Sequence, residues 1–284
     1  CSSDLVADLL VLSRQNELLQ MLEEDRPGLA QAVAREYLAL ARHQGRYDQI
    51  RFLDAGGMEV VRVNYHAGRP AVVTPDALQA KGGRYYFKDA FALGPGEVFV
   101  SPFDLNIEQG AIERPLKPMI RFAVPVADRA GAKRGVIVLN YLGARLLDAL
   151  RELDYLSAGR TMLLGRDGHW LLGPTPEDEW GFMIPGRAGR TFEADYPQAW
   201  RHLLEAQAGQ IESAAGLFTY ATIHPLAATL HSSAGAATAH GDSPARLSGD
   251  QYRWKLVSHV PPELLRAGGR SLRMKLVALG VTLL

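Results

Sequence analysis

Leu5, Leu9, Leu12, Leu19 and Leu22 recur near helical spacing over the first 24 residues, with Asp, Arg, Gln and Glu between them, and predict an amphipathic helix. Asp25-Arg26-Pro27-Gly28 interrupts the pattern, and Pro27 suits a first helical turn. A second stripe, Leu29, Val33, Tyr37 and Leu40, ends near Gly45. From there the period changes. Tyr47–Leu53 and Met58–Asn64 read as strands around the turn Asp54-Ala55-Gly56-Gly57. Tyr85–Leu93 reads as a helix closed by Gly94-Pro95-Gly96, and Glu97–Phe103, Pro118–Val126 and Gly135–Tyr141 read as further strands.

The same order returns more loosely. Thr161–Arg166 and His169–Leu172 flank Asp167-Gly168, Tyr196–Gln207 reads as a helix closed by Gly209, and Gln210–Glu212, Leu217–Ile223 and Tyr252–Val260 read as strands. Hairpin, helix and three-strand meander, twice over, predict an α+β chain with antiparallel sheets. The expected layout is a helical stalk over 1–45, two tandem domains over 46–150 and 151–262, and a C-terminal helix over 263–284. Residues 226–249, rich in Ala, His, Ser, Gly and Thr, read as a solvated loop inside the second block. Pro261-Pro262-Glu263 opens the last helix, and the uncharged run Leu276–Leu284 covers about half of the roughly 20 apolar residues a spanning helix needs. It reads as the start of a membrane span, although Arg270, Arg273 and Lys275 before it favour a cytoplasmic flank.

Composition narrows the classes. With 47% hydrophobic and 22% charged residues, wholesale disorder, collagen and a polytopic membrane protein are excluded. The 31 basic residues cancel the 31 acidic ones, so nucleic acid is not an expected partner. A single cysteine, Cys1, excludes a disulfide framework and a cysteine-only zinc site.

Catalytic motifs do not emerge. Ser101-Pro102 lacks the Gly-x-Ser-x-Gly elbow, and neither a phosphate loop nor a dinucleotide fingerprint occurs. The eight histidines show no paired ligand spacing; His231 and His240 share a loop with Asp242 and read as solvated. Glu97, Asp104 and Glu108 lie close in sequence, but nothing sets their separation. No cofactor and no metal are expected, and this segment is not expected to be an enzyme. The arginines carry more information. Arg51, Arg62 and Arg121 interrupt apolar strands, and Arg84 precedes Tyr85-Tyr86-Phe87. A guanidinium there points to water, pairs with a carboxylate such as Glu59, Asp89 or Glu97, or meets the acid group of a ligand. Arg84, beside flat apolar walls and hydroxyls, best suits a small carboxylate.

Several ungapped blocks resemble the double Cache sensor domains of bacterial receptors. They are Tyr47–Asn64, Arg84-Tyr-Tyr-Phe87, Gly96–Pro102, Lys117–Val126, Gly135–Leu142, Glu179-Trp-Gly-Phe182 and Gly216–Tyr220, in the right order over nearly the whole chain. The resemblance implies a long N-terminal helix, a membrane-distal PAS-like domain that binds ligand, and a smaller membrane-proximal one. It implies membrane helices before residue 1 and from about residue 276, with this segment periplasmic at the bacterial inner membrane. Family members for amino acids hold the ligand carboxylate with an Arg-x-[Trp/Tyr]-[Tyr/Phe] segment, which Arg84–Phe87 matches. Their amine-binding aspartate corresponds to Asn140, and their Tyr-x-Asp segment is met only by Phe103-Asp104 and Asn106. A carboxylate or other anion without an amine is therefore the expected ligand. The candidate ligand-binding residues are Arg84, Tyr85, Tyr86, Phe87, Arg121, Ser101, Asp104 and Asn140.

The expected output beyond the segment is a histidine kinase, with a diguanylate cyclase as the alternative and a homodimer formed through residues 1–44. The second block lacks an Arg-x-Tyr-Phe equivalent and is expected to be a spacer. Two rivals stay open: an interaction module using the 226–249 loop, and a soluble hydrolase gathering Glu97, Asp104 and His169.

Overall fold

The computed structural model describes residues 2–24, 26–66, 68–155, 159–236 and 241–267. Helices α1 (Ser2–Leu12), α2 (Asn16–Glu23) and α3 (Leu29–Gln44) precede strands β1 (Tyr47–Asp54), β2 (Glu59–His66) and β3 (Arg69–Val72). After α4 (Tyr85–Phe91) come β4 (Phe99–Val100), β5 (Asp104–Leu105), β6 (Ile107–Glu108), β7 (Ala111–Ile112), β8 (Pro118–Ala127) and β9 (Lys133–Leu142). Then follow α5 (Ala144–Glu152), β10 (Arg160–Leu164), β11 (Trp170–Leu172), α6 (Phe192–Asp195) and α7 (Pro197–Glu205). The remaining strands are β12 (Ala208–Ser213), β13 (Gly216–Ile223), β14 (His231–Ser233), β15 (Arg246–Ser248) and β16 (Trp254–Val260). The chain divides into two compact units, unit 1 of residues 1–144 and 224–252 and unit 2 of 145–223 and 253–284.

Unit 1 is built on one sheet of order β15-β14-β4-β8-β9-β1-β2-β3, with β5 pairing to β8. Strand β8 is buried from Pro118 to Val126, because both faces of the sheet are covered and a continuous apolar run suits that environment. Helices α1 and α3 pack against β1, β2, β8 and β9, while α4 packs on β4, β8 and β9. In place of the expected single long stalk helix there are three helices, of which α1 and α3 cover the sheet and α2 packs on α3. Helix α1 ends where Ser13 Oγ donates to the Leu10 carbonyl at 2.8 Å and Gln15 turns extended. Its stripe of Leu5, Leu9 and Leu12 is buried together with Leu18, Val33 and Tyr37. Each such side chain contributes about 1.5–3 kcal/mol on full burial, which favours packing over projection.

The described parts of 226–249, residues 226–236 and 241–249, do not form the solvated loop expected inside the second block. Strand β14 runs parallel to β4, β15 pairs antiparallel with β14, and both belong to unit 1. His231 N donates to the Val98 carbonyl at 2.9 Å and Ser232 Oγ to the Val100 carbonyl at 2.7 Å. Without this hairpin the short strand β4 would present a bare sheet edge. Small polar residues read as loop from composition, yet here the His231 amide and the buried Ser232 hydroxyl satisfy that edge.

Unit 2 contains the antiparallel sheet β11-β10-β16-β13-β12. Met162, Leu164, Val257, Phe218 and Tyr220 form its core with Trp170, Phe192, Trp200 and Leu203. Thr191 Oγ1 accepts the Ala194 amide at 3.2 Å as the cap of α6, and Pro197 opens α7. Residues 262–267 are helical, and the rest of the expected 263–284 helix, including Leu276–Leu284, lies outside the described residues. Among the described residues no helix is long and apolar enough to cross a membrane.

Candidate functional site

Sheet register alone gathers the polar residues of unit 1. Arg121 lies opposite Asn140, Asn140 opposite Gln49, and Arg51 opposite Arg62. Directly paired residues share a face, as do residues two apart on one strand, so all five sit on one side of the sheet. That side is the one α4 covers. Its other end is apolar, where Leu53, Ala123, Val136 and Val138 meet Tyr85, Phe87 and Ala90.

The loop before α4 delivers two more cations. Gly57 adopts φ 79°, and a Cβ there would collide with the Gly82 backbone, just as a Cβ on Gly82 would collide with the Gly56 carbonyl oxygen. This contact, with Lys81 N donating to the Gly57 carbonyl at 2.7 Å, sets Lys81 and Arg84 over the sheet. The result is a crowded electrostatic cluster. Arg51, Arg62, Lys81, Arg84 and Arg121 are all buried.

Carboxylates compensate most of this charge. Glu59 bridges Arg51 and Arg62, each at 3.4 Å, and also accepts the Gln79 amide at 3.0 Å. Glu108 binds Arg62 at 2.8 Å and Lys81 at 3.1 Å. Asp104 binds Arg121 at 2.6 Å and accepts from the Tyr85 hydroxyl at 2.7 Å. Asn106 accepts from Arg121 at 3.1 Å, and Ser101 Oγ accepts the Arg121 amide at 2.9 Å. Asn140 accepts from Arg51 at 2.8 Å and donates to Gln49 at 3.2 Å.

Arg84 stands apart. Its hydrogen bond is a 3.4 Å contact from Nη1 to the Ile107 carbonyl, and no carboxylate pairs with it among the described residues. The Nε atoms of Arg51, Arg84 and Arg121 are buried without an acceptor. Their guanidinium carbons lie 5.5, 5.6 and 5.0 Å from the centre of the Tyr86 ring. Burial works to raise the Tyr86 phenol, but Arg51, Arg121, Arg84 and Lys81 outweigh it and leave the pKa lowered. Tyr85 moves the other way, raised by burial and by the Asp104 charge. Five buried cations face three carboxylates here, so the cluster carries excess positive charge that an anion would neutralise.

The candidates thus fall into groups. Arg84 and Arg121 meet at the Tyr86 ring, Asn140 holds Arg51 beside them, Ser101 and Asp104 bind Arg121, and Tyr85 donates to Asp104. Phe87 packs in the apolar cluster and stacks on Phe91 at 5.6 Å. Sequence reading overlooked Lys81 and Gln49. The Gly56-Gly57 and Gly82-Gly83 pairs flanking these residues were the available signal for Lys81. Gln49 shows only through register. The residues of the hydrolase rival have separate partners: Glu97 is bound to His231 and the Gly94 amide, Asp104 to Arg121, and His169 to Asp167. Of the proposed loop cluster, His231 pairs with Glu97, Asp242 with Lys88, and His240 lies outside the described residues. Among the described residues no three or more histidine, cysteine, aspartate or glutamate side chains gather as a metal ion would need.

Residues 1–231 match the family described as bacterial histidine kinase, sensor domain, and the chain belongs to that family. Among solved structures, an extracellular domain assigned to the histidine kinase vpHK1S-Z8 is similar at TM-score 0.76 and 22% identity, over 94% of this chain and 87% of the other. A domain assigned to the sensory box/GGDEF family from Vibrio parahaemolyticus is similar at TM-score 0.75 and 23% identity, over 93% and 90%. The ligand-binding domain of the Pseudomonas fluorescens chemoreceptor CtaA, solved with L-serine, is similar at TM-score 0.52 and 13% identity, over 92% and 89%. At these identities the likeness establishes the shared fold. No curated protein is similar enough to this chain to count as a relative.

Proposed function

We propose that this chain is the extracytoplasmic sensing module of a transmembrane histidine kinase, and that unit 1 binds a small carboxylate or similar anion against Arg84. In this reading unit 1 is the membrane-distal domain and unit 2 the membrane-proximal one, with spans on either side of the segment. Two copies associate through the N-terminal helices, where Val11 is 66% exposed. The observation that carries the ligand assignment is Arg84 itself, a guanidinium only 7% exposed with no carboxylate partner among the described residues. CtaA, of similar fold, is solved with an amino acid. In unit 1, however, Asp104 is already committed to Arg121 and Tyr85, and Asn140 is neutral, so neither compensates an ammonium. An anion without an amine fits better.

Because Arg51, Arg84, Arg121 and Tyr86 are each at most 7% exposed, ligand entry requires the cover over them to open. Binding then selects between open and closed arrangements, and only differential affinity for the two shifts the signal. The test is thermal unfolding of the chain with a panel of organic acids and amino acids, alongside Arg84→Ala. A ligand at 100 times its dissociation constant adds about 2.7 kcal/mol. A shift from an amine-free carboxylate that disappears in the variant supports the reading; a shift equal in both proteins refutes the assignment to Arg84.

A further inference from the structure

Unit 2 also contains a cavity, of about 480 Å³, lined by Asp154, Gly159, Arg160, Met162, Pro174, Tyr196, His259, Pro261 and Leu264. Register explains its floor. Arg160 lies opposite His259, and His259 opposite Phe218, so the three share the sheet face that carries the Met162–Val257 core. That core stops short of the Arg160 end, and the cavity occupies the space left there. The His259 ring stacks on Phe218 at 4.4 Å with an interplanar angle of 8°, and Tyr196 stands 5.5 Å from it. His259 Nε2 lies 2.7 Å from the Ala215 carbonyl, which can only accept, so the proton sits on Nε2 and the ring is held in place. Arg160 Nη1 donates to the Pro174 carbonyl at 2.7 Å, and no carboxylate pairs with Arg160 among the described residues. Asp154, the acidic residue of the lining, already accepts the Thr161 amide at 2.6 Å.

We propose that unit 2 carries its own binding site, for a compact aromatic carboxylate whose acid group meets Arg160 and whose ring lies among Tyr196, His259, Met162 and Pro174. The volume falls within the range of about 300–1,000 Å³ usual for small-ligand sites, and the lining joins apolar Met162, Pro174, Pro261 and Leu264 to polar Asp154, Tyr196, His259 and an exposed Arg160. The expected spacer role of this domain then gives way to a second input. Its position matters for output: Pro261 and Leu264 wall the cavity at the point where β16 passes into the helix at 262–267. A bound ring touches the first turn of the segment that leaves the domain. This site does not depend on the reading of unit 1.

The experiment is calorimetric titration of the whole chain with benzoate, against benzyl alcohol as the uncharged analogue and acetate as the ringless one. All four tryptophans, Trp170, Trp180, Trp200 and Trp254, belong to unit 2, so their emission reports the same event independently. The expected result is saturable benzoate binding at one site, weakened at least tenfold for both analogues. Arg160→Gln should weaken it about tenfold, and Leu264→Trp, at a half-exposed wall position, should block it. No saturable benzoate binding overturns the proposal. So does binding that survives Arg160→Gln but is lost in Arg84→Ala, since that places the ligand in unit 1. Should Leu264→Trp fail to fold by circular dichroism, Arg160→Gln decides alone.

Discussion

The guanidinium carbon of Arg84 lies 5.6 Å from the centre of the Tyr86 ring, inside a cluster where the neighbouring arginines Arg51, Arg62 and Arg121 each hold a carboxylate and Arg84 holds none. A buried cation without a counter-charge costs folding free energy, so its removal has an unusual sign. Arg84→Met, which keeps the apolar stem, should leave the ligand-free protein at least as stable as wild type, with a gain of about 1–3 kcal/mol. Urea unfolding without and with the stabilising anion checks this. A clear loss of stability without ligand would show that Arg84 has a structural partner instead.

The Tyr86 phenol should ionise below its ordinary value of 10.0 in the empty protein, because the cations around it outweigh its burial. A folded-state pKa below the unfolded one adds stability that is complete above the unfolded value and is lost as pH falls through the lowered folded value. Alkaline titration of tyrosinate absorbance, with Tyr86→Phe subtracted from the ten tyrosines, isolates the group. Saturation with the anion should move this titration upward, since the ligand neutralises part of the field.

Gly82→Ala tests how the site is assembled without touching its chemistry. The added methyl collides with the Gly56 carbonyl oxygen, which is backbone and cannot swing aside. The loop must shift, carrying Lys81 and Arg84 away from the sheet. Anion affinity should fall tenfold or more while the tryptophan signal of unit 2 stays unchanged; equal affinity would show that the loop does not position Arg84.

Asp104 and Arg121 form a buried pair at 2.6 Å. Asp104→Ala strands Arg121, whose side chain is 1% exposed, and should cost about 3–5 kcal/mol. Arg121→Met combined with Asp104→Leu should recover much of that loss, because replacing both charges by apolar groups removes the desolvation cost. A double variant no better than the single would contradict this account.

His169 offers a pH signature in unit 2. Its hydrogen bond to Asp167 at 2.7 Å holds the imidazole pKa above the ordinary 6.5, while Nε2 faces the Ala188 carbonyl at 3.1 Å. A raised folded-state pKa contributes stability that is fully present below 6.5 and is lost as pH rises through the higher folded value. Tryptophan-monitored unfolding should therefore weaken as pH climbs from about 6 towards 8. His169→Gln should flatten that slope, and an unchanged slope would place its origin elsewhere.

Local chemistry was enough for several parts of this protein. Strand and helix periods placed β1, β2, α4, β8, β9 and the strands of unit 2, because side-chain periodicity records which faces are buried. The run Arg84-Tyr85-Tyr86-Phe87 drew attention through the placing of a guanidinium before three aromatic residues and through its resemblance to the family segment. What the sequence could not decide was partnership. Arg51, Arg62, Arg84 and Arg121 look alike as single letters, and only the fold separates them: register across four strands brings Arg51, Arg62 and Arg121 to one sheet face where each finds a carboxylate, while the loop before α4 sets Arg84 where none pairs with it among the described residues. The stretch 226–249 was legible as small and polar but not as sheet, since its strands exist only by pairing with β4, more than a hundred residues away. Likewise Leu5, Leu9 and Leu12 marked the buried face of α1, whereas in α2 the buried residue is Leu18 rather than Leu19 or Leu22, because the chain breaks at residues 13–15 and restarts the helix in a new phase. Periodicity is a property of neighbours along the chain, whereas charge pairing, edge protection and cavity closure depend on neighbours in space.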